Sequence, residues 1–336
     1  MHIPRLHTPH LLDVPQMTEK EMTTLIDLAA SLRAARQQGE EKRLLEGKNI
    51  ALVFEKPSTR TRCAFEVAAH HQGAHLTYIG SDGSHMGRDE SVKDTARVLG
   101  RMYDAIEFRG FAQETVEVLA GYAGVPVWNG LTDEWHPTQL LADLLTMRDH
   151  AGKPLHEVVV TYVGDGRNNV ARSLMIGAAT MGLEVRIAAP KDLQPDAELI
   201  ELARTAGAAR SGRVIVGEDV EEMCLGADFL YTDVWVSMGE PQEERDKRIP
   251  LLIPYRIDDR MISATANPRV KVMHCLPSIH NTESTLGRRI KDGYGLDGAE
   301  ISDSVFESEH SIVFDQAENR LHTIKAVMVA SLAGTR

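Results

Sequence analysis

The sequence predicts an α/β protein of two doubly wound parallel-sheet domains joined by interdomain helices, and three observations carry that expectation. Short apolar runs recur along the 336 residues with helical segments between them, the alternation that yields parallel strands covered on both faces. The chain is long for one hydrophobic core. A break at Asp149-His150-Ala151-Gly152-Lys153-Pro154 divides the apolar runs into two sets, because glycine and proline end a helix before a fresh strand begins.

In the first half the candidate strands are Ile50 to Phe54, His75 to Ile79, Ala105 to Phe108 and Pro126 to Trp128. The first leads through Pro57-Ser58-Thr59-Arg60-Thr61-Arg62 into a helical run, Cys63 to Gln72. A helix starting after Pro137 carries Leu140, Leu141, Leu144 and Leu145 at helical spacing, a face for packing. The second half repeats the plan with Val158 to Val163, Val185 to Ala189, Val214 to Val216, Phe229 to Tyr231 and Val270 to His274, and Leu321 to Leu332 reads as a closing helix. The expected division is 1–150, 151–318 and a terminal segment, 319–336, packing back on the first domain. No solenoid-length repeat and no low-complexity tract interrupts the pattern.

Hydrophobic content of 43% and charged content of 26% are ordinary for a globular protein. The net charge of −12 argues against a broad nucleic-acid or anionic-membrane surface, so any anion must be captured locally. Cys63, Cys224 and Cys275 are three widely spaced thiols without a CxxC pair, which fits reduced cysteines in a cytoplasmic protein. The N-terminal stretch Met1 to His7 lacks the apolar core of a signal peptide, and no apolar run reaches bilayer-spanning length.

Ser58-Thr59-Arg60-Thr61-Arg62 is the most informative stretch. Hydroxyls, unpaired backbone N–H groups and guanidinium forks meet there at the positive end of a helix dipole, which suits a compact anion. Ser58 could serve only as an N-cap with the arginines solvated, but arginines in a first turn oppose the dipole unless an anion accompanies them. His136-Pro137-Thr138-Gln139 sets an imidazole and a carboxamide at another helix start, where capping is the alternative reading.

Two more segments lie at carboxyl ends of strands, where open parallel sheets bind ligands. His274-Cys275-Leu276-Pro277 offers a thiol that is either a small buried apolar group or a site residue. Asp233-Val234-Trp235-Val236-Ser237-Met238-Gly239 offers a carboxylate suited to an ammonium group, or simply a loop-opening aspartate. Gly164-Asp165-Gly166-Arg167-Asn168-Asn169 imitates a dinucleotide loop, but Asn169 stands where the third glycine is required.

Together with Phe54-Glu55-Lys56-Pro57 and Phe314-Asp315-Gln316-Ala317-Glu318-Asn319-Arg320, these segments resemble the aspartate/ornithine carbamoyltransferase family, and the loop Asp233 to Gly239 resembles its ornithine branch. The likeness runs through most of the chain in the family's order. It implies a first domain for carbamoyl phosphate and a second for ornithine, with citrulline and phosphate as products. It also implies that Ser58, Thr59, Arg60 and Thr61 hold the phosphate and that Arg109, His136 and Thr61 reach the carbonyl oxygen. Gln139, in the turn with Pro137 and Thr138, and the backbone around Cys275 and Leu276 would orient the amide, with Arg320 at the anhydride. Cys275 and Asp233 would flank the reacting amine; Asp233 and Ser237 would hold the α-ammonium, and Asn169 and the Met238 backbone the α-carboxylate.

The glycine-rich stretch Ser81 to Gly87 resembles the family's mobile loop that reaches a neighbouring subunit, with His85 as its contact. Asp89 and Asn281 depart from residues common among relatives. The resemblance further implies a homotrimer or an assembly of trimers. No metal or cofactor is expected, since the motifs hold no HxxxH or carboxylate cluster and an acyl phosphate is already activated. Transfer to another amine such as putrescine, or a noncatalytic binding role, are the competing functions; an intact α-carboxylate loop opposes the first and the paired constellations oppose the second.

Overall fold

The computed structural model describes residue 3 and residues 6–235 and 242–333. The chain forms two compact units, one of residues up to Leu145 together with those from Glu318 onward, the other Thr146–Ala317.

The first unit contains α1 (Glu19–Gln37), β1 (Asn49–Phe54), α2 (Thr59–Gln72), β2 (His75–Ile79), α3 (Val92–Met102), β3 (Ala105–Arg109), α4 (Gln113–Ala123), β4 (Val127–Leu131) and the start of α5 (Pro137–His150). Its four strands lie in the order β2-β1-β3-β4, all parallel. The second unit follows with β5 (Val159–Val163), α6 (Asn169–Thr180), β6 (Glu184–Ala188), α7 (Ala197–Gly207), β7 (Arg213–Gly217), α8 (Val220–Cys224), β8 (Phe229–Thr232), α9 (Gln242–Leu252), α10 (Asp259–Ala264), β9 (Lys271–His274), α11 (Thr285–Tyr294), α12 (Asp303–Phe306) and the start of α13 (Val313–Leu332), whose residues from Glu318 onward belong to the first unit. Its sheet runs β7-β6-β5-β8-β9, again all parallel. The two doubly wound sheets and all nine expected strands are therefore present, within a residue or two at most ends.

Two helices begin earlier than the apolar pattern indicates. α2 starts at Thr59 rather than Cys63, because the Ser58 side chain accepts a hydrogen bond from the Thr61 N–H and caps it there. Gly73 closes the same helix at φ +83, a conformation glycine adopts without penalty. α13 starts at Val313, eight residues before Leu321, so the polar run Asp315 to Arg320 is helical.

Parallel strands are buried on both faces, and alternation along β3 separates two environments. Ile106 and Phe108 pack with Val53, Leu99, Val116 and Leu119, each fully buried apolar side chain contributing roughly 1.5–3 kcal/mol. Glu107 and Arg109 point to the opposite face. Between Phe108 and Arg109 the pairing with β4 slips, so that Asn129 and Leu131 are partners and Gly130 is the extra residue.

The α13 portion belonging to the first unit is held by polar contacts as well as by its apolar side chains. Asn319 accepts from Arg33 at 2.7 Å, and the Trp128 ring N–H donates to Ser331 at 3.1 Å. Lys325, fully buried, pairs with Glu41, which also accepts from Gln72. Burial lowers the proton affinity of Lys325, and Glu41 opposes that effect. Nearby His71 is pushed down to about 4 by desolvation and by the positive charges of Lys325 and Arg36.

Removing one member of a buried ion pair strands the other charge. Glu41→Ala should therefore cost about 3–5 kcal/mol in urea unfolding, whereas Glu41→Met with Lys325→Met together should lose much less. Equal losses in the single and double variants would contradict this account.

Candidate active site

The residues of the first-unit motifs gather at the carboxyl ends of β1, β3 and β4. Thr61 lies in the first turn of α2 and is completely buried. Its hydroxyl accepts from Arg320 at 2.9 Å and from Arg109 at 3.4 Å. Two guanidinium groups thus converge on one oxygen at the N-terminus of a helix. Arg109 comes from the last position of β3 and Arg320 from α13, two residues more than two hundred positions apart in sequence.

His136 stands at the turn into α5 and is 3% exposed. Desolvation, followed by the positive charges of Arg320 and Arg109, holds its proton affinity well below the ordinary histidine range. At neutral pH it is an uncharged imidazole, able to donate one N–H to a carbonyl oxygen. Thr138 lies 3.4 Å from its Nδ1 and also reaches the Gly130 carbonyl. Gln139 is buried, and its amide N–H donates to Asp143 at 2.8 Å, fixing the carboxamide along α5.

In the second unit the Cys275 thiol donates to Asp233 Oδ1 at 2.9 Å. The turn carrying Cys275 is fixed by a buried chain of hydrogen bonds: His274 Nε2 meets Glu300 Oε1 at 3.1 Å, while its Nδ1 accepts from the Leu276 N–H at 2.9 Å. Gln316 accepts from the His274 backbone N–H, and Glu300 also accepts from Ile279. Leu276 adopts φ +55, which sends the chain sharply away from the strand end. Asp233, His274 and Cys275 offer ligand-type atoms within 4.8 Å of one another. Both ring nitrogens of His274 are already engaged, so this imidazole has no lone pair to give a cation.

Asn169 begins α6 after the Asn168 cap, whose side chain accepts from Ala171 and donates to the Tyr162 hydroxyl. Burial and the neighbouring Asp233 carboxylate push the Tyr162 hydroxyl well above its ordinary range, so it remains a neutral hydrogen-bonding group. In the same loop Asp165 binds Arg167 through two bonds of 3.0 Å, leaving the loop no free arginine fork for a dinucleotide.

Residues 9–149 match the family model described as the carbamoyl-P binding domain of aspartate/ornithine carbamoyltransferase, and residues 156–331 match its Asp/Orn binding domain. The chain belongs to the aspartate/ornithine carbamoyltransferase family. It is 58% identical over 330 residues to the ornithine carbamoyltransferase of Cutibacterium acnes (strain DSM 16379 / KPA171202), covering 98% of this chain and 99% of the relative. The ornithine carbamoyltransferase from Pyrococcus furiosus has a similar structure, with TM-score 0.88 and 38% identity over 100% of this chain and 99% of that one. Anabolic ornithine carbamoyltransferase from Campylobacter jejuni subsp. jejuni NCTC 11168 gives 0.83 and 34% over 96% and 98%. The family's chemistry is carbamoyl transfer, and the chain is a transferase.

Within this carbamoyltransferase, the structure gathers Ser58, Thr61, Arg109, His136, Thr138 and Arg320 in the first unit and Asp233, Cys275 and Leu276 in the second. Thr59 and Arg60 share the first turn of α2, and Pro137 opens α5. Arg62, part of the same sequence stretch, turns outward to Glu66 and lies over the Tyr78 ring, so it is not one of the converging arginines. His85 is exposed on its loop, 3.4 Å from Asp89. Ser237 and Met238 lie outside the described residues. Asn281 donates to Asp303, the same carboxylate that meets His280, which gives this departure a local structural partner.

Sequence reasoning passed over Glu107 and Glu300 and gave Gln316, within the Phe314 to Arg320 segment, no role; all three are fully buried polar residues. The signal for Glu107 was available as a lone carboxylate inside the apolar run Ala105 to Phe108. Glu300 and Gln316 carry no local signal, since their partner His274 lies on another element.

The His136 environment fixes an acid response. The unfolded chain binds a proton at this histidine near pH 6.5, whereas the folded chain takes it only at much lower pH, so stability falls as pH drops below 6.5. His136→Gln should reduce that acid slope by up to about 1.4 kcal/mol per pH unit. Urea unfolding between pH 5 and 7 tests it, and unchanged slopes would contradict a buried neutral imidazole.

Proposed function

We propose that the chain is an ornithine carbamoyltransferase, converting carbamoyl phosphate and L-ornithine to L-citrulline and phosphate in a reversible reaction. The observation that carries this reading is the convergence of Arg109 and Arg320 on the Thr61 hydroxyl at the start of α2. Relatives named as ornithine carbamoyltransferases over nearly the whole chain support the choice of amine acceptor.

In this reading the phosphate is bound by Ser58, Thr59, Arg60 and Thr61, where backbone N–H groups and the helix dipole favour a dianion. The carbonyl oxygen accepts from Arg109, Thr61 and the N–H of neutral His136. Gln139, with Pro137 and Thr138 in its turn, and the backbone carbonyls of Cys275 and Leu276 orient the amide, while Arg320 approaches the bridging oxygen. As the amine nitrogen attacks, its lone pair forms the new C–N bond and charge moves to the carbonyl oxygen. Donors already in place stabilise that charge without reorganising. The C–O bond to phosphate then breaks as the carbonyl re-forms; the electron pair leaves with the phosphate, whose charge Arg60 and Arg320 balance, and the proton shed by the attacking nitrogen passes to that departing phosphate.

Ornithine's side-chain ammonium has an ordinary pKa near 10.4, so presenting a neutral amine at pH 7 costs roughly 4–5 kcal/mol. Asp233 and Cys275 are assigned to that end of the substrate, supported by their mutual hydrogen bond. Asp233 with Ser237 takes the α-ammonium, and Asn169 with the Met238 backbone the α-carboxylate. The assembly is read as a homotrimer or a group of trimers, in which exposed His85 completes a neighbour's phosphate site. Cytoplasmic residence is supported by three free thiols, and among the described residues no helix is long and apolar enough to cross a membrane.

With ornithine, putrescine and aspartate offered as acceptors, carbamoyl phosphate should give product with ornithine alone. Product with none of them would end the assignment. Arg109→Ala should lower kcat by about 10²–10³, the effect of losing one oxyanion donor, while its urea midpoint stays near wild type. Unchanged kinetics in the folded variant would remove Arg109 from the reaction.

A further inference from the structure

Residues 132–135 separate the end of β4 from His136 and form a closed turn. The Thr132 backbone N–H donates to the Trp135 carbonyl at 2.9 Å, and the Trp135 N–H returns to the Thr132 hydroxyl at 3.1 Å. That hydroxyl donates its own proton to Gln113 Oε1 at 2.8 Å, a closer acceptor than the Trp135 carbonyl at 3.4 Å. Gln113 is the first residue of α4, yet it is buried, as are Asn129, Thr132 and Trp135. Its amide group donates to the Leu12 carbonyl at 3.3 Å and to Glu117 at 3.2 Å, and Asn129 of β4 donates to the same carbonyl at 2.7 Å.

The turn is also tied to the segment that follows Arg109. Gly110 donates its N–H to the Leu131 carbonyl at 2.9 Å, and Asp133 donates to the Phe111 carbonyl at 2.8 Å. On the other side the His136 carbonyl accepts from the N–H groups of Gln139 and Leu140 at 3.0 and 3.1 Å, which opens α5. His136 is therefore set between a hydrogen-bonded turn and a helix start. A hydroxyl suits position 132 because it accepts from one neighbour while donating to another. A valine of the same shape could do neither, and would take that partner from both the Trp135 N–H and the Gln113 carbonyl oxygen.

We propose that Thr132, held by Gln113, is a positioning residue for His136: it fixes the turn that presents the imidazole to the substrate's carbonyl oxygen, without touching substrate itself. The proposal rests on the carbamoyl phosphate reading of this unit. Donors stabilise a developing oxyanion in proportion to how well they are placed beforehand, and a displacement of about 1 Å can cost on the order of a hundredfold in rate. The buried amides of Gln113 and Asn129 fix that placement when the chain folds, before any ligand arrives.

The test uses the full chain and two probes in calorimetry: inorganic phosphate, which reads the Thr61 end alone, and phosphonoacetamide, which adds a carbonyl to a phosphonate. Thr132→Val should bind phosphate as wild type does and phosphonoacetamide at least about threefold more weakly, the size expected of one hydrogen bond. Its kcat should fall at least about tenfold, and Thr132→Ser, which keeps the hydroxyl, should restore both readings. In a His136→Gln background the Thr132→Val change should lower kcat by less than about twofold, because the two residues act as a unit. A folded Thr132→Val that weakens both probes alike or neither, or whose kcat loss adds in full to that of His136→Gln, overturns the proposal. Should Thr132→Val not fold, Gln113→Met decides in its place by the same criteria. Wild type that binds neither probe defeats the carbamoyl phosphate reading and the proposal with it; wild type that binds both leaves Thr132 to be judged by its variants.

Discussion

Two guanidinium groups, one buried and one half-buried, meet around one threonine hydroxyl and set the terms for the first unit. Arg109 and Arg320 are long, flexible side chains that in water would be separated by repulsion and entropy. They meet on Thr61 because each is anchored at a rigid element: the end of an interior strand in one case, the inside of a twenty-residue helix in the other. The cost of crowding like charges is met during folding, as β3 pairs with β1 and β4 and α13 is held by Arg33 and Trp128, so it does not fall on the moment of ligand binding. His136 follows from the same arrangement. An imidazole beside two fixed positive charges and out of water holds a proton poorly, and neutrality is the state that can donate to a carbonyl oxygen without adding a third cation.

Helix starts in this chain divide along the same physical line. Most helices carry an acidic residue in the first turn, among them α1, α3, α4, α7 and α8, where it offsets the dipole. The helices opened by Ser58 to Thr61, by Pro137 to Gln139 and by Asn169 have none. An internal carboxylate at those positions would occupy the place of a ligand's anionic group. α11 also lacks an acid and opens at no site motif, so the absence is informative only where a strand end and polar side chains coincide with it.

The strands were legible because each is a short apolar run flanked by breakers, and parallel sheets bury both faces. Motifs at their carboxyl ends were legible for a related reason: polar side chains directly after an apolar run mark the rim where such sheets bind ligands. Boundaries set by side-chain capping were less so, as at α2, where the Ser58 hydrogen bond draws four polar residues into the helix. Least legible were partners that meet only in three dimensions. Glu300 and Gln316 hold His274, and through it the Leu276 turn, from positions 26 and 42 residues away, and no periodicity announces such a pairing. Arg62 shows the converse: composition grouped it with Arg60, but helical geometry turns it to Glu66, four residues on.

A net charge of −12 is at odds with an anionic substrate only if attraction is imagined at long range. The surface field decays over about 8 Å at physiological ionic strength, whereas buried donors act at hydrogen-bond distance in a medium where each contact is stronger than in water. Capture is therefore a matter of local desolvated donors, and it should respond weakly to salt compared with binding that depends on an exposed basic surface.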